Sequence, residues 1–420
     1  MKLSVVIKRL ILLTVSVLGT WLIYLGYQSS TAYEFGLKAN KYVELNLDKN
    51  WGIRKKALEF AQFFLSYYPH PKYVEYVRSD TQVGIENPSL QPISFIPKSG
   101  KPITVNNAQT LIQAFREAKA GDVILLSPGN YQLKRKSFKL KHSGTASQPI
   151  VLTAATFGTV TLQMDSVEGL YLDQAYWSIS NIIFEGICQS HSKCEHALHL
   201  TGDADNIVIR NNRFINFNAH IKSNGKNHNF PDHVTVSGND FYNQSARNTK
   251  NPVTPIDVVG GNDWLIENNF IADFAFQQHG KFTVTYGAFL KGGGERGIIN
   301  NNVVNCAWKV PQQSFLDIRI GLSLGGGGTG GAFYQNVGES FEHSGGIIEN
   351  NLIINCSNDV GIYLNKAAKS KVNNNILLNT LGIDIRYNSS TATLEKNQYQ
   401  GRIKARDGAW IRKINNIHLP

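Results

Sequence analysis

Seven asparagines recur at one fixed place in a repeated segment through the C-terminal half of this 420-residue chain. The segments read IVIRNNRF, VTVSGNDF, WLIENNFI, IINNNVV, IIENNLII, KVNNNILL and LEKNQY. Each carries an apolar residue three positions before Asn212, Asn239, Asn269, Asn302, Asn351, Asn375 or Asn397. Two positions after each lies Phe214, Phe241, Ile271, Val304, Ile353, Leu377 or Tyr399. The intervals are 27, 30, 33, 49, 24 and 22 residues, and an earlier copy, WSISNIIF, has Ile182 in the asparagine slot. Short β-runs repeating at this period cannot bury their own apolar face, so successive coils must stack. An asparagine at the turn tolerates the left-handed conformation, and its amide can bond to the asparagine of the next coil. The expectation is an all-β chain, a right-handed parallel β-helix, in which these asparagines are structural. The long interval marks an insertion between Asn302 and Asn351.

Upstream, NAQTLIQAFREAKAGDVILLSPGNY places Leu111, Ile112, Phe115 and Ala118 on one helical face before a strand–turn–strand. Such a helix, near 107–119, would cap the open end of the stack. The N-terminus differs. Lys2, Lys8 and Arg9 precede an uncharged run from Leu10 to Tyr27, long enough to span a bilayer. Residues 33–80 have an amphipathic helical pattern, as in KKALEFAQFFLSYY, and a proline-punctuated link follows from about Asn87 to Pro97. The expected organisation is a membrane anchor or signal segment (1–32), a helical stalk and linker (33–97) and the β-helix (98–420). An uncleaved anchor facing the periplasm is favoured over cleavage after SSTA and secretion.

Charged residues are 17% of the chain and the apolar fraction is 42%, which excludes disorder and a helical bundle. The formal charge of +11 points to an anionic partner. For an exported chain that means an acidic polysaccharide rather than nucleic acid, and a monomer is expected. Four cysteines suit an oxidising compartment. Cys188 and Cys194 close the short loop CQSHSKC and form the candidate disulfide, with zinc on the loop's His191 the lesser reading. Cys306 and Cys356 are expected to be buried stack residues near one another.

A second register precedes the asparagines: a small residue, then apolar, x, apolar, z. It appears as ALHLT (197–201), PIDVV (255–259), GAFLK (287–291), GLSLG (321–325), GIYLN (361–365) and GIDIR (382–386). Positions x and z point outward on one sheet. They line up His199, Thr201, Asp257, Phe289, Lys291, Ser323, Tyr363, Asn365, Asp384 and Arg386 as a polar stripe. Lys291 is either a solvated charge or a functional lysine there. A phosphate loop is excluded, since LKGGGERG lacks the GxxxxGK[ST] order and LGGGGTGG (324–331) has no following lysine.

Residues 102–187 resemble the opening of the chondroitinase B and alginate lyase family, with cap helix, first strand, SGTASQPIVLTAATFGTVTL and YWSISNIIFEG in that order. The resemblance implies cleavage of uronic-acid polysaccharides by β-elimination, with a lysine base, an arginine in the next coil and often a calcium held by acidic residues. It implies Lys291 as the base. Where the family has acidic residues shortly before that lysine, positions 284 and 286 are Val and Tyr; where it has the arginine, Gly325 stands. No metal ligands are therefore assigned. Arg319, six residues before Gly325, and Arg386 are candidates to hold the carboxylate, and Tyr363 to protonate the leaving oxygen. His199, Asp257, Asn365, Asp384 and His343 are candidate substrate contacts. The alternatives are a hydrolase or epimerase on the same scaffold, or a non-catalytic glycan-binding β-helix. Hydrolysis ordinarily needs paired carboxylates, and Asp257 and Asp384 lie several coils apart.

Overall fold

The computed structural model describes residues 73–78, 83–86, 102–277, 283–313 and 317–420. The expected membrane segment, most of the stalk and the linker lie outside these residues. Among the described residues no helix is long and apolar enough to cross a membrane.

The body is a right-handed parallel β-helix. Each coil contributes one strand to each of three long parallel sheets of 12, 11 and 10 strands. In one representative coil these are Leu265–Glu267, Phe270–Ala272 and Thr283–Lys291. A three-stranded sheet, Gly294–Glu295, His343–Ser344 and Ala367–Ala368, lines a corner. The helix Ala108–Glu117, N-capped by Asn107, covers the first coil with Leu111, Ala114 and Phe115. This cap was legible from its apolar face.

The asparagine ladder is continuous. Asn212, Asn239, Asn269, Asn302, Asn351 and Asn375 each accept, through Oδ1, the backbone N–H of the asparagine or Ile182 one coil earlier, at 2.9–3.1 Å. Their Nδ2 groups donate to the next Oδ1 and to backbone carbonyls. Asn416 extends the series one coil beyond Asn397. One expectation is corrected. The left-handed residue is the one before each ladder asparagine: Asn211, Gly238, Asn268, Asn301, Asn350, Asn374 and Lys396. That residue turns the chain, which leaves the ladder asparagine to bridge between coils. Two positions on, Phe184, Phe214 and Phe241 stack with centroids 4.8–4.9 Å apart.

Both cysteine pairs are disulfides. Cys188–Cys194 closes the expected loop, and Cys306–Cys356, expected only as neighbours, bridges adjacent coils across the insertion with Cα atoms 5.0 Å apart. The helical reading of 33–80 fails where it reaches described residues: Tyr73–Val77 are not helical. Val74 spends its backbone on Asn355 instead, donating to Oδ1 at 2.9 Å and accepting from Nδ2 at 3.0 Å. This strap lies on the second sheet, where Tyr76 stacks on Phe270. Arg78 forks onto the fully buried Asp240 at 2.7 and 3.0 Å, and Arg213 meets the same carboxylate at 3.1 Å.

His343 was expected among the substrate contacts. It is 1% exposed in the corner sheet, and neither ring nitrogen has a protein partner. Its backbone pairs with Gly294 and Ala367, which turns the ring toward the interior. Burial pushes its pKa down to about 3, as it does for His220.

Two outcomes follow for stability. Asn302→Ala deprives the buried Asn269 N–H of its 2.9 Å acceptor. Denaturant unfolding is expected to show a loss of at least about 1–3 kcal/mol for that group. For the buried histidines, the unfolded chain binds the proton and the folded one does not, so stability declines as pH falls below the free imidazole pKa of about 6.5. At about pH 5 each of His220 and His343 costs roughly 2 kcal/mol relative to neutral pH. His343→Leu should flatten the pH dependence of the unfolding midpoint by that share.

Candidate functional site

The outward face of the third sheet carries the predicted stripe in register. One column pairs Tyr171 with His199, His199 with Lys222 and Lys222 with Asp257. It continues through Phe289, Ser323, Tyr363, Asp384 and Lys404. The second column runs Thr201, Asn224, Val259 and Lys291. After Gly325, which follows Leu290's partner Leu324, it resumes with Asn365, Arg386 and Arg406.

Lys291 stands at the end of the nine-residue strand Thr283–Lys291. Its ammonium lies 4.7 Å above the Phe289 ring, and among the described residues it has no ion-pair or hydrogen-bond partner. Burial lowers its pKa and nearby Lys222 adds to that, while Asp257 and Glu342 oppose it. The glycines of the insertion wall it in: a Cβ on Gly326 would stand 2.9 Å from the Lys291 Cδ. Glu342, 4% exposed, closes the back of this corner. Its Oε2 accepts from the Gly292 N–H at 3.0 Å and the Thr329 hydroxyl at 2.7 Å. The insertion therefore builds part of the site.

Beside Lys291, Asp257 is held by Lys222 at 2.7 Å. His199 bonds to Asn224 Oδ1 at 2.8 Å, packs edge-on to Tyr171, and has its pKa lowered by burial. Asp257 is one strand from Lys291, Lys222 two and His199 three. The remaining candidates lie on the other side of Lys291. Asn365 is two strands beyond Lys291 and nearly buried. Tyr363 is on the same strand, 9% exposed, with burial raising its pKa and Arg386 beside its hydroxyl lowering it. Arg386 is three strands away, about 14 Å along the axis. It pairs with Asp407 and covers the Tyr387 ring. Asp384 is taken by Arg406 at 2.8 Å. Asp257 and Asp384 are four strands apart, about 19 Å, too far to act as a hydrolytic pair.

Arg319 does not reach the stripe. It is fully buried and pairs with Asp317 at 2.6 Å. Its other donors go to the Cys306, Val310 and Pro311 carbonyls at 2.6–3.0 Å. Its strand neighbour is Thr285, which faces the interior.

The positions where the family holds a metal also differ. Val284 and Tyr286 pack against an apolar cluster of Ile318, Ile320, Val360 and Tyr363. Burial raises the Tyr286 hydroxyl, so it stays protonated. These groups offer a calcium ion no carboxylate, and they do not fit one. Among the described residues no three His, Cys, Asp or Glu side chains converge on a point.

Two residues escaped the sequence reading. Lys222 lies in AHIKSN, where the buried Ser223 takes the slot that an apolar residue fills in other coils. Glu342 lies in the insertion, outside any repeat; no local signal marks it.

Among solved structures, an alginate lyase from Paenibacillus sp. str. FPU-7 is 17% identical, with 76% of this chain and 95% of that one covered at a TM-score of 0.41. A PL6 family polysaccharide lyase from Pseudopedobacter saltans is 14% identical, with 76% and 93% covered at 0.38. A tailspike protein of Acinetobacter baumannii phage AM24 is 13% identical, with 70% and 49% covered at 0.45. Likeness at this level does not extend to chemistry. No curated protein matches the sequence. The family model for chondroitinase B matches residues 105–419, three quarters of the chain and all but the edge of the β-helix, and the chain belongs to the chondroitinase B family.

Proposed function

We propose that the protein is an exported, membrane-anchored polysaccharide lyase that cleaves an acidic, uronic-acid-containing glycan by β-elimination. Lys291 is the base. The observation that carries this reading is the state of that lysine: outward on the sheet, walled by the insertion, lowered in pKa by burial and unpaired among the described residues, whereas its neighbour Lys222 is paired.

The neutral Lys291 amine takes the proton from C5 of the uronyl residue. The C–H pair becomes the C4–C5 double bond, and the C4–O bond breaks with its electrons on oxygen. The leaving oxygen takes its proton from the lysinium just formed. One group thus serves as base and acid, which suits a site where Tyr363 lies two strands away. Lys222 holds Asp257 in place by pairing its carboxylate at 2.7 Å, which leaves that carboxylate committed elsewhere than to the Lys291 amine. Two disulfides support an oxidising compartment. The basic flank and the apolar run from Leu10 to Tyr27 support export with the N-terminus held in the inner membrane.

A non-catalytic glycan-binding role draws support from one observation, Gly325 at the place of the family's arginine. A single variant separates the two readings. Lys291→Ala is expected to lower kcat about 10²–10⁴-fold while glycan binding persists. The readout is near-ultraviolet absorbance of the unsaturated product on a panel of polyuronates. Turnover unchanged in Lys291→Ala, or absent from the wild-type protein across the panel, would exclude the lyase. In the wild-type protein kcat/KM should rise with pH through an apparent pKa below the ordinary lysine value of about 10.4.

A further inference from the structure

The reading of Lys291 as an elimination base leaves open which uronyl residue it attacks, and the charges around it bear on that. Removing the C5 proton from a free uronate puts a second negative charge beside an existing carboxylate, so such a site needs a cation or metal at that carboxylate. An esterified uronyl residue needs neither, because its carbonyl starts neutral and carries only the single charge of the enolate.

Four observations fit the second case. First, no side chain, and so no cation, can stand at the matching position of the next coil. Gly325 has φ +74°, and a Cβ there would lie 2.0 Å from the Asn365 carbonyl oxygen. Second, the local charge is negative: Lys222 (+1), Asp257 (−1) and Glu342 (−1) sum to −1 once Lys291 is the free amine. Third, the positions that would hold a metal form the apolar cluster of Val284, Tyr286, Ile318, Ile320 and Tyr363. That cluster begins one ring away from Lys291: Tyr286 meets Phe289 edge-on at 5.3 Å, and Phe289 lies under the ammonium. Fourth, Arg319 is spent on Asp317 inside the fold, and Arg386 is three strands away.

We infer that the residue cleaved at Lys291 is an alkyl-esterified uronyl residue, presented within a chain whose other residues are free acids. The ester alkyl group faces the apolar cluster. The free carboxylates further along the chain meet Arg386 and Arg406, three and four strands on.

The test uses the whole protein on matched pairs of one polymer, methyl-esterified and saponified, with polygalacturonate and polymannuronate as backbones and EDTA in the buffer. The expected result is a kcat/KM about tenfold or more higher on an esterified form, which is about 1.4 kcal/mol in barrier. Equal or faster cleavage of the saponified forms would overturn the ester inference and leave the lyase reading standing. Cleavage of neither form of any polymer would overturn both. Glu342→Gln, which keeps an oxygen acceptor for the Gly292 N–H and removes the charge, should narrow the ratio by raising turnover of the free-acid form. A ratio that stays the same in Glu342→Gln contradicts the charge argument.

Discussion

The asparagine-to-asparagine amide contact is the constraint on which the rest of this molecule depends. Each ladder asparagine gives the coil before it an acceptor for a buried N–H and takes its own from the coil after. A buried amide left without that partner is costly, so the ladder tolerates no slip. Because coil-to-coil register is held at one corner, it is held on every sheet. The outward columns of the third sheet stack true for the same reason. A one-residue slip would turn Lys291 inward and Leu290 out.

This explains why so much was legible in the linear chain. The ladder is a signal of spacing, and spacing survives insertion: the 49-residue interval between Asn302 and Asn351 still ends on the same 2.9 Å bond. The stripe was legible because it inherits that register. What could not be read was any group placed by the irregular parts. Arg319 looked free because nothing in the repeat marks its partners; Asp317, two residues earlier on the same strand, and the Cys306, Val310 and Pro311 carbonyls converge on it only once the insertion folds. Glu342 was invisible for the converse reason. The left-handed turn residue was misplaced by one position because asparagine occupies both slots in several coils, as in Asn301–Asn302. Only the three-dimensional division of labour, one residue turning and the next bridging, tells them apart.

The third sheet also shows how a surface rich in cations can hold very little free positive charge. Lys222, Arg386 and Arg406 each have a carboxylate partner within the stripe or its flank. Exposed pairs such as Arg406–Asp384 are cheap to open for a polyanion, whereas the Lys222–Asp257 pair is largely desolvated and costs more to break. The stripe is thus graded, yielding at its C-terminal end and firm near Lys291.

The strap of residues 73–78 has a mechanical consequence. Its buried anchor, the Asp240 carboxylate shared by Arg78 and Arg213, sits on a middle coil rather than on the capping helix. A load entering at Tyr73 is therefore taken up within the body of the solenoid, through the Val74–Asn355 bonds and the Arg78–Asp240 pair. It does not reach the first coil, where strands could be peeled off one at a time. An attachment at the middle of the stack, and not at its first coil, lets the solenoid bear such a load without unravelling from its end.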